Sequence, residues 1–122
     1  MLVRRPLNAA VVQGSVVTFE CTTLGDVNSS RIEWHNSTCV TTSTSISACA
    51  AYLIYSGYMG SSVPPRYSVT RMNNATHLTR DLSINQTQLT DAGVYLCTEE
   101  TNIPGINESS SAQLVVFGNY IS

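Results

Sequence analysis

Four cysteines are the residues of this chain with the most evident chemistry. Cys21 and Cys97 lie 76 residues apart, while Cys39 and Cys49 enclose a segment rich in serine and threonine. An even number of cysteines in a small domain indicates two disulfides and an oxidising compartment, although four cysteines allow three pairings. The sequence has no C-x-x-C pair and no cysteine–histidine cluster, so the spacing does not favour zinc. The cysteines therefore indicate cross-linking, and no metal or other cofactor is predicted.

Catalytic side chains are present but are not arranged as a known catalytic motif. His35 and His77 belong to different predicted strands, no serine lies in a G-x-S-x-G turn, and no glycine-rich phosphate loop occurs. Glu99 and Glu100 are adjacent in a predicted loop, where carboxylates are usually solvated. We therefore predict that the chain is not an enzyme.

Five asparagines stand in the N-x-S/T pattern that accepts N-linked glycans in secreted proteins. Chance alone would give about one or two of these sequons in a chain so rich in serine and threonine. The five are Asn28, Asn36, Asn74, Asn85 and Asn107. Their number agrees with the cysteines in predicting an extracellular glycoprotein.

The composition limits the kinds of partner. The 122 residues suffice for one domain, and 43% of them are apolar, 11% are charged and the net charge is −2. The six basic residues are scattered arginines, so neither nucleic acid nor an anionic membrane surface is a predicted partner. The longest apolar run, 48–55, is far shorter than the roughly 20 residues of a membrane helix, so this segment is not predicted to insert into a membrane. We expect a secreted protein or the ectodomain of a cell-surface protein.

The elements that position these residues are predicted to be strands. Short β-branched and aromatic runs alternate with Gly, Asn, Ser and Pro, and no helical period is sustained. The predicted strands span residues 10–13, 17–21, 32–34, 50–55, 67–71, 77–84, 94–98 and 112–117. The polar stretch 99–111 is predicted to be a loop.

The spacing of Cys21, Trp34 and the run Asp91-Ala92-Gly93-Val94-Tyr95-Leu96-Cys97 resembles the immunoglobulin superfamily, and its length resembles the variable or V-set type. A primitive variable-joining-like domain is an alternative within that family. The resemblance covers nearly the whole chain and implies an all-β, two-sheet immunoglobulin V-type sandwich with Greek-key connections. We expect residues 1–118 to form this domain and residues 119–122 to form a tail or the start of a linker.

The resemblance also implies how the sandwich is held together. Cys21 and Cys97 would bridge the sheets, with Trp34 packed on the bridge and Tyr95 directing its hydroxyl back to the backbone. Arg66 and Asp91 would form a bidentate ion pair where the two sheets approach each other. The alternative for these two charges is an ordinary exposed pair.

The remaining cysteines, Cys39 and Cys49, would then clasp the hairpin between the third and fourth predicted strands. This resembles the additional disulfide of some innate-receptor V domains and polymeric-immunoglobulin-receptor-like domains. A loop this short would gain about 2–3 kcal/mol from a disulfide. Stapling of the connection is favoured over a dedicated ligand platform.

One sheet face is the candidate contact surface. Because Trp34 and Cys97 point inward, their sequence neighbours point outward. We call this surface the outer sheet face, the G-F-C-C′ face of a V-set domain. Its candidate contact residues are Glu33, His35, Leu96, Thr98, Val115 and Phe117, accompanied by Gln113 and a tyrosine of the 50–55 strand. Exposed apolar side chains on such a face commonly mark protein contacts.

We therefore expect an extracellular recognition or adhesion module that binds a protein partner, including a second copy of itself, through the outer sheet face. The alternative is antigen-receptor-like recognition of a foreign protein or glycan ligand through the loops 22–30, 56–65 and 99–111. Asn28 and Asn107 are predicted to lie in those loops, where glycans would shield the loop tip. Asn36 is predicted to lie near a strand end that is too ordered for modification.

Overall fold

The computed structural model describes residues 1–25, 29–37, 51–56, 63–102 and 107–118. These ranges contain the strands Leu2–Arg4 (β1), Ala9–Val12 (β2), Val17–Phe19 (β3), Thr22–Leu24 (β4), Ser30–Ser37 (β5), Ala51–Tyr55 (β6), Tyr67–Asn73 (β7), His77–Ile84 (β8), Gly93–Thr101 (β9) and Asn107–Phe117 (β10). A 3₁₀ turn, Leu89–Asp91, precedes β9. No helix in the described ranges is long and apolar enough to cross a bilayer.

The strands form two sheets. In the first sheet β8 is central: β3 and β4 both pair with one of its edges, β7 pairs with the other, and β1 pairs with β4. The second sheet has the order β2–β10–β9–β5–β6, and its β2–β10 pair is parallel. The predicted all-β, two-sheet sandwich is confirmed.

The core lies between the sheets around one disulfide. Cys21 follows β3 and Cys97 lies in β9, so their bond joins the two sheets, with a Cα–Cα distance of 6.5 Å. Trp34 and Tyr95 are fully buried, and Phe19 stacks on Tyr95 at a centroid distance of 5.2 Å. Because Trp34 is fully buried, its indole N–H needs a hydrogen-bond acceptor inside the core.

Arg80 supplies that acceptor from an inward-facing position of β8. The Trp34 Nε1–H donates to the Arg80 carbonyl at 2.8 Å. The Arg80 side chain is 8% exposed, and its Nη1 donates to Asn73 Oδ1 at 2.5 Å and to the Thr79 carbonyl at 2.7 Å. Alternation predicted Leu78, Leu82 and Ile84 as inward residues, and all three are buried. It left out Arg80 because a cation seldom occupies such a position.

The N-terminal segment contributes to both sheets. The predicted strand 10–13 corresponds to β2 in the second sheet, whereas β1 in the first sheet was not predicted. β1 has three residues, too few for a visible alternation. It is held by pairing with β4 and by the Leu2 N–H, which donates to Glu108 Oε1 at 2.8 Å.

The prediction of a loop over 99–111 was wrong for most of that stretch. β9 continues to Thr101 and β10 begins at Asn107, with Glu100 opposite Asn107. The sequence did not indicate these strands because their side chains are polar and show no apolar alternation. The polar side chains instead bond to each other across the pair, and Thr98 Oγ1 lies 3.0 Å from Ser109 Oγ.

Glu99 was wrongly predicted to be solvated, since it is 2% exposed. It is a buried acceptor on the inner side of β9. Its carboxylate accepts hydrogen bonds from the Thr23 hydroxyl and, at 2.6 Å, from the Met1 amino group. A buried carboxylate needs such donors, and here they come from the opposite sheet.

Candidate functional site

Asp91 connects the two sheets at one end of the sandwich. Arg66 Nη1 and Nη2 donate to its two carboxylate oxygens at 2.7 and 3.0 Å, a bidentate arrangement. The Gln88 N–H donates to Oδ2 at 2.7 Å, and the Tyr95 hydroxyl donates to the Asp91 carbonyl at 2.6 Å. The Asp91 side chain is 5% exposed and that of Arg66 is 25% exposed, so the carboxylate is the desolvated member of the pair. This region supports the fold and holds the start of β9 in place.

The electrostatics of this cluster favour a charged Asp91 and neutral tyrosines. Burial pushes the pKa of Asp91 upward, but the hydrogen bonds from Arg66 and the Gln88 N–H outweigh it and hold that pKa below its usual range. Burial raises the pKa of Tyr95 far above its usual range and also raises the pKa of Tyr67. Both hydroxyls therefore stay protonated and donate.

The outer sheet face contains all six predicted contact residues. Antiparallel register sets its rows, because directly paired residues point to the same side. Across β5, β9 and β10 the rows are Arg31–Glu100–Asn107, Glu33–Thr98–Ser109, His35–Leu96–Ser111 and Ser37–Val94–Gln113. Val115 and Phe117 continue the same side of β10 beyond the last row.

One end of this face carries charge of both signs. Arg31 Nη2 lies 2.9 Å from Glu33 Oε1 and also bonds the Glu100 carboxylate. His35 Nε2 lies 3.8 Å from Glu33 Oε2. Glu33 is 13% exposed in its side chain, so this is a partly desolvated network on the sheet. We call these four residues the charged end.

The opposite end of the face is apolar. Val115 and Phe117 of β10 are 37% and 55% exposed, and they pair with Ala10 and Val12 of the parallel strand β2. Val12 is 48% exposed. We call Ala10, Val12, Val115 and Phe117 the apolar end. Sequence reasoning missed the β2 residues, since no local pattern signals a partner about 105 positions away.

Leu96 does not belong to this apolar cluster. It lies opposite Ser111, and four residues at about 3.3 Å each place Ser111 roughly 13 Å from Val115 along β10. The apolar neighbour of its row is Leu53, which pairs with His35 and is 55% exposed. The tyrosine predicted on this face is not Tyr55, which is 2% exposed, and the side chain of Tyr52 lies outside what the structure describes.

The sequons divide among different surfaces. Asn74 and Asn85 are exposed next to the two ends of β8 in the first sheet. Asn36 follows the inward alternation of Trp34, and its Oδ1 is buried with no partner among the described residues. Asn107 lies on the outer sheet face rather than in a loop, so its predicted loop position was wrong. Asn28 lies outside the described residues.

Cys39 and Cys49 also lie outside the described residues, and their bond stays a prediction. Residues 119–122 of the predicted tail lie outside them too. In the described ranges, no three His, Cys, Asp or Glu side chains gather closely enough to hold a metal ion.

Two sheets joined by a central disulfide, with tryptophan packed in the core and a tyrosine hydroxyl bonded back to the chain before β9, define an immunoglobulin-type sandwich. The chain belongs to the immunoglobulin V-set family, because the model described as "Immunoglobulin V-set domain" matches residues 4–117. Domains of this family are generally non-enzymatic binding modules and are typically extracellular. None of the curated proteins compared matches the chain.

Solved structures show the same fold at low identity. The crystal structure of the RIG-5 IG1 homodimer has a TM-score of 0.67 and 19% identity, covering 95% of this chain and 95% of that chain. A chimeric titin Z1Z2 carrying a KLER peptide from decorin has a TM-score of 0.61 and 16% identity, covering 98% and 94%. The titin M3 domain has a TM-score of 0.60 and 19% identity, covering 96% and 95%.

Proposed function

We propose that the chain is an extracellular recognition or adhesion module that binds a protein partner through the outer sheet face, with a second copy of the chain as its partner. The observation that carries this proposal is the cluster of exposed apolar side chains at the apolar end. Single exposed apolar residues are ordinary on a protein surface, but neighbouring ones are not. Val12 pairs with Phe117, Val115 lies two residues before Phe117 on the same side of β10, and each of the three is more than a third exposed.

The charge distribution supports a second copy as the partner. The apolar end consists of Ala10, Val12, Val115 and Phe117 and has no charged side chain, so two copies can bring it together without opposing like charges. A twofold interface places the same patch on both partners, so an uncharged apolar patch is complementary to its own copy. The RIG-5 IG1 domain is a homodimer and shares this fold, which supports self-association by analogy of fold alone.

The loop-tip alternative has less support among the described residues. It used the three loops 22–30, 56–65 and 99–111, and within the last of these β9 and β10 pair as far as Glu100 and Asn107. Most residues of that predicted loop therefore belong to paired strands, whose backbone is less adaptable to a foreign protein or glycan.

Sedimentation equilibrium of the purified chain over a range of concentrations tests the proposal. We expect reversible self-association that Phe117→Glu weakens by about tenfold or more, equivalent to about 1.4 kcal/mol, because a carboxylate would be desolvated in an apolar contact. Met72→Glu is the matched control, since Met72 is 64% exposed on β7 of the other sheet. Wild type that stays monomeric throughout, or a Phe117→Glu variant that associates as wild type does, would contradict it.

A further inference from the structure

We propose that Asn107 carries an N-linked glycan on the outer sheet face, and that this glycan confines the protein contact to the apolar end of the face. The first part concerns a modification and stands on the position of Asn107. The second part rests on the proposed function.

Asn107 is placed to hold a glycan that projects from the sheet. It is the first residue of β10, it is exposed, and it shares the outward alternation of Ser109 and Val115. The Thr101 N–H donates to its Oδ1 at 3.4 Å, and its amide nitrogen donates to no group among the described residues. Ser109, the hydroxyl residue of the sequon, lies on the same side with its Oγ 3.0 Å from Thr98 Oγ1. A glycan is bulky and hydrophilic and needs such an outward, solvated position.

Asn36 provides the contrast, although its sequon is just as complete. It lies opposite Tyr95 on the inner side of β5, and a Cβ built on Gly93 would be 3.4 Å from its Oδ1. Asn36 is only partly exposed and its Oδ1 is buried, so a glycan there would disturb the packing at the end of β5. We expect Asn36 to be unmodified in the secreted protein.

The position of Asn107 limits where a partner can be centred. A standard interface buries about 800 Å² on each partner, which corresponds to a disc of about 16 Å radius. Ser111 lies opposite Leu96, and its Cα is about 13 Å from Asn107 along β10, whereas Val115 is about 26 Å away at 3.3 Å per residue. A contact centred on Leu96 would include the glycan, while one centred on Val115 would exclude it.

The exposed apolar residues independently indicate that the protein contact is centred at the apolar end. Val115, Phe117 and Val12 form the apolar end, and all three lie at the end of the face remote from Asn107. The glycan would instead stand in the row of Arg31 and Glu100. A hydrophilic glycan over the charged end would keep that end solvated, and the apolar end would remain for protein contact.

The test uses protein secreted by a glycosylating eukaryotic host, with glycopeptide mass spectrometry and sedimentation equilibrium on the same samples. We expect Asn107 to be modified, Asn36 to be unmodified, and Asn107→Gln to self-associate as wild type does. Asn74→Gln is the matched control, because it removes a sequon from the other sheet. A third variant moves the glycan toward the apolar end by combining Asn107→Gln with Ser111→Asn and Gln113→Thr. We expect this shift to weaken self-association by about tenfold or more, and enzymatic removal of the glycan to restore it.

Each contrary result is decisive. An unmodified Asn107 overturns the glycan site. If Asn107→Gln associates much more tightly than wild type, the glycan lies inside the contact. This result overturns the assignment of the protein contact to the apolar end. If no variant and no deglycosylated sample associates, the proposed function fails together with the contact position, and the glycopeptide data alone then decide the modification.

Discussion

At the scale of single residues, Asp91 concentrates more interactions than any predicted contact residue. Its carboxylate accepts hydrogen bonds from Arg66, from the Gln88 N–H and, at 3.3 Å, from the Tyr67 hydroxyl. Its own carbonyl accepts the Tyr95 hydroxyl. Residues before β7, in the 3₁₀ turn and in β9 are thereby fixed to one another. Removing the charge should therefore affect stability more than binding.

We expect Asp91→Asn to lower the free energy of unfolding by about 2–4 kcal/mol, because Arg66 would lose its buried counter-ion. Glu20→Gln is the matched control, since Glu20 forms an exposed pair with Arg4 at 3.7 Å and should cost under about 1 kcal/mol. Urea unfolding followed by circular dichroism measures both. Equal losses in the two variants would contradict a structural role for the buried pair.

The stabilisation from Asp91 should also depend on pH. Its pKa is lower in the folded chain than the value of about 3.9 for an unfolded aspartate. The contribution is therefore complete above about pH 4–5 and is lost as the pH falls through the lower, folded pKa. We expect the stability difference between wild type and Asp91→Asn to shrink on acidification below pH 4, measured by urea titrations at several pH values. A difference that stays constant down to pH 2 would count against this assignment.

At the scale of elements, the start of β9 depends on a glycine. Gly93 has φ of +153°, and a Cβ built there would be 3.4 Å from the Ser37 carbonyl and from Asn36 Oδ1. The residue therefore combines an unusual backbone conformation with close approach to β5. Both conditions follow from the tight passage from the 3₁₀ turn into the strand.

We expect Gly93→Ala to destabilise the domain by about 1–3 kcal/mol in thermal or urea unfolding. Gly14→Ala is the comparison, because Gly14 also has positive φ, +94°, but a Cβ there would meet nothing within 4 Å. The Gly14 variant should lose less stability than the Gly93 variant, because only the cost of the positive-φ backbone conformation applies there. A larger loss at Gly14 than at Gly93 would refute the role given to the contact with β5.

At the scale of the whole molecule, the Cys21–Cys97 bond joins the two sheets across 76 residues of chain. Closing a loop of that length should stabilise the fold by about 4 kcal/mol. Small domains have a total stability of only about 5–15 kcal/mol, so this one bond accounts for a large share. The bond is also fully buried against Trp34, so its removal disturbs the packing of both sheets.

Replacing both cysteines by alanine should therefore lower the unfolding free energy by about 4 kcal/mol or more, measured by urea unfolding at neutral pH. The denaturant slope reports whether the variant still unfolds as one compact domain. A loss below about 1 kcal/mol would show that packing alone holds the sheets together.

Much of the fold could be predicted because the signal is local. Period-two alternation around Trp34 and Cys97 fixes which side chains face inward, and therefore which of their neighbours lie on the outer sheet face. The same alternation predicted the inward residues of β8 except Arg80, whose burial depends on acceptors from Asn73 and Thr79. The local pattern of a strand determines which way its side chains point, but it does not identify the distant residues that they contact.

What only the tertiary structure decided concerns pairing between distant segments. The parallel contact of β2 with β10 creates the apolar end, and the long β9–β10 pairing moves Asn107 from a predicted loop onto the outer sheet face. Glu99 likewise became a buried residue because Thr23 and Met1 reach it from the other sheet. Local alternation together with the resemblance to the V-set family determined the two-sheet sandwich, the Cys21–Cys97 bond and the direction of the side chains around Trp34 and Cys97. Register between strands far apart in the chain decided the composition of the candidate binding face, because hydrogen-bonded pairing across the sheet leaves no periodic trace in either strand alone.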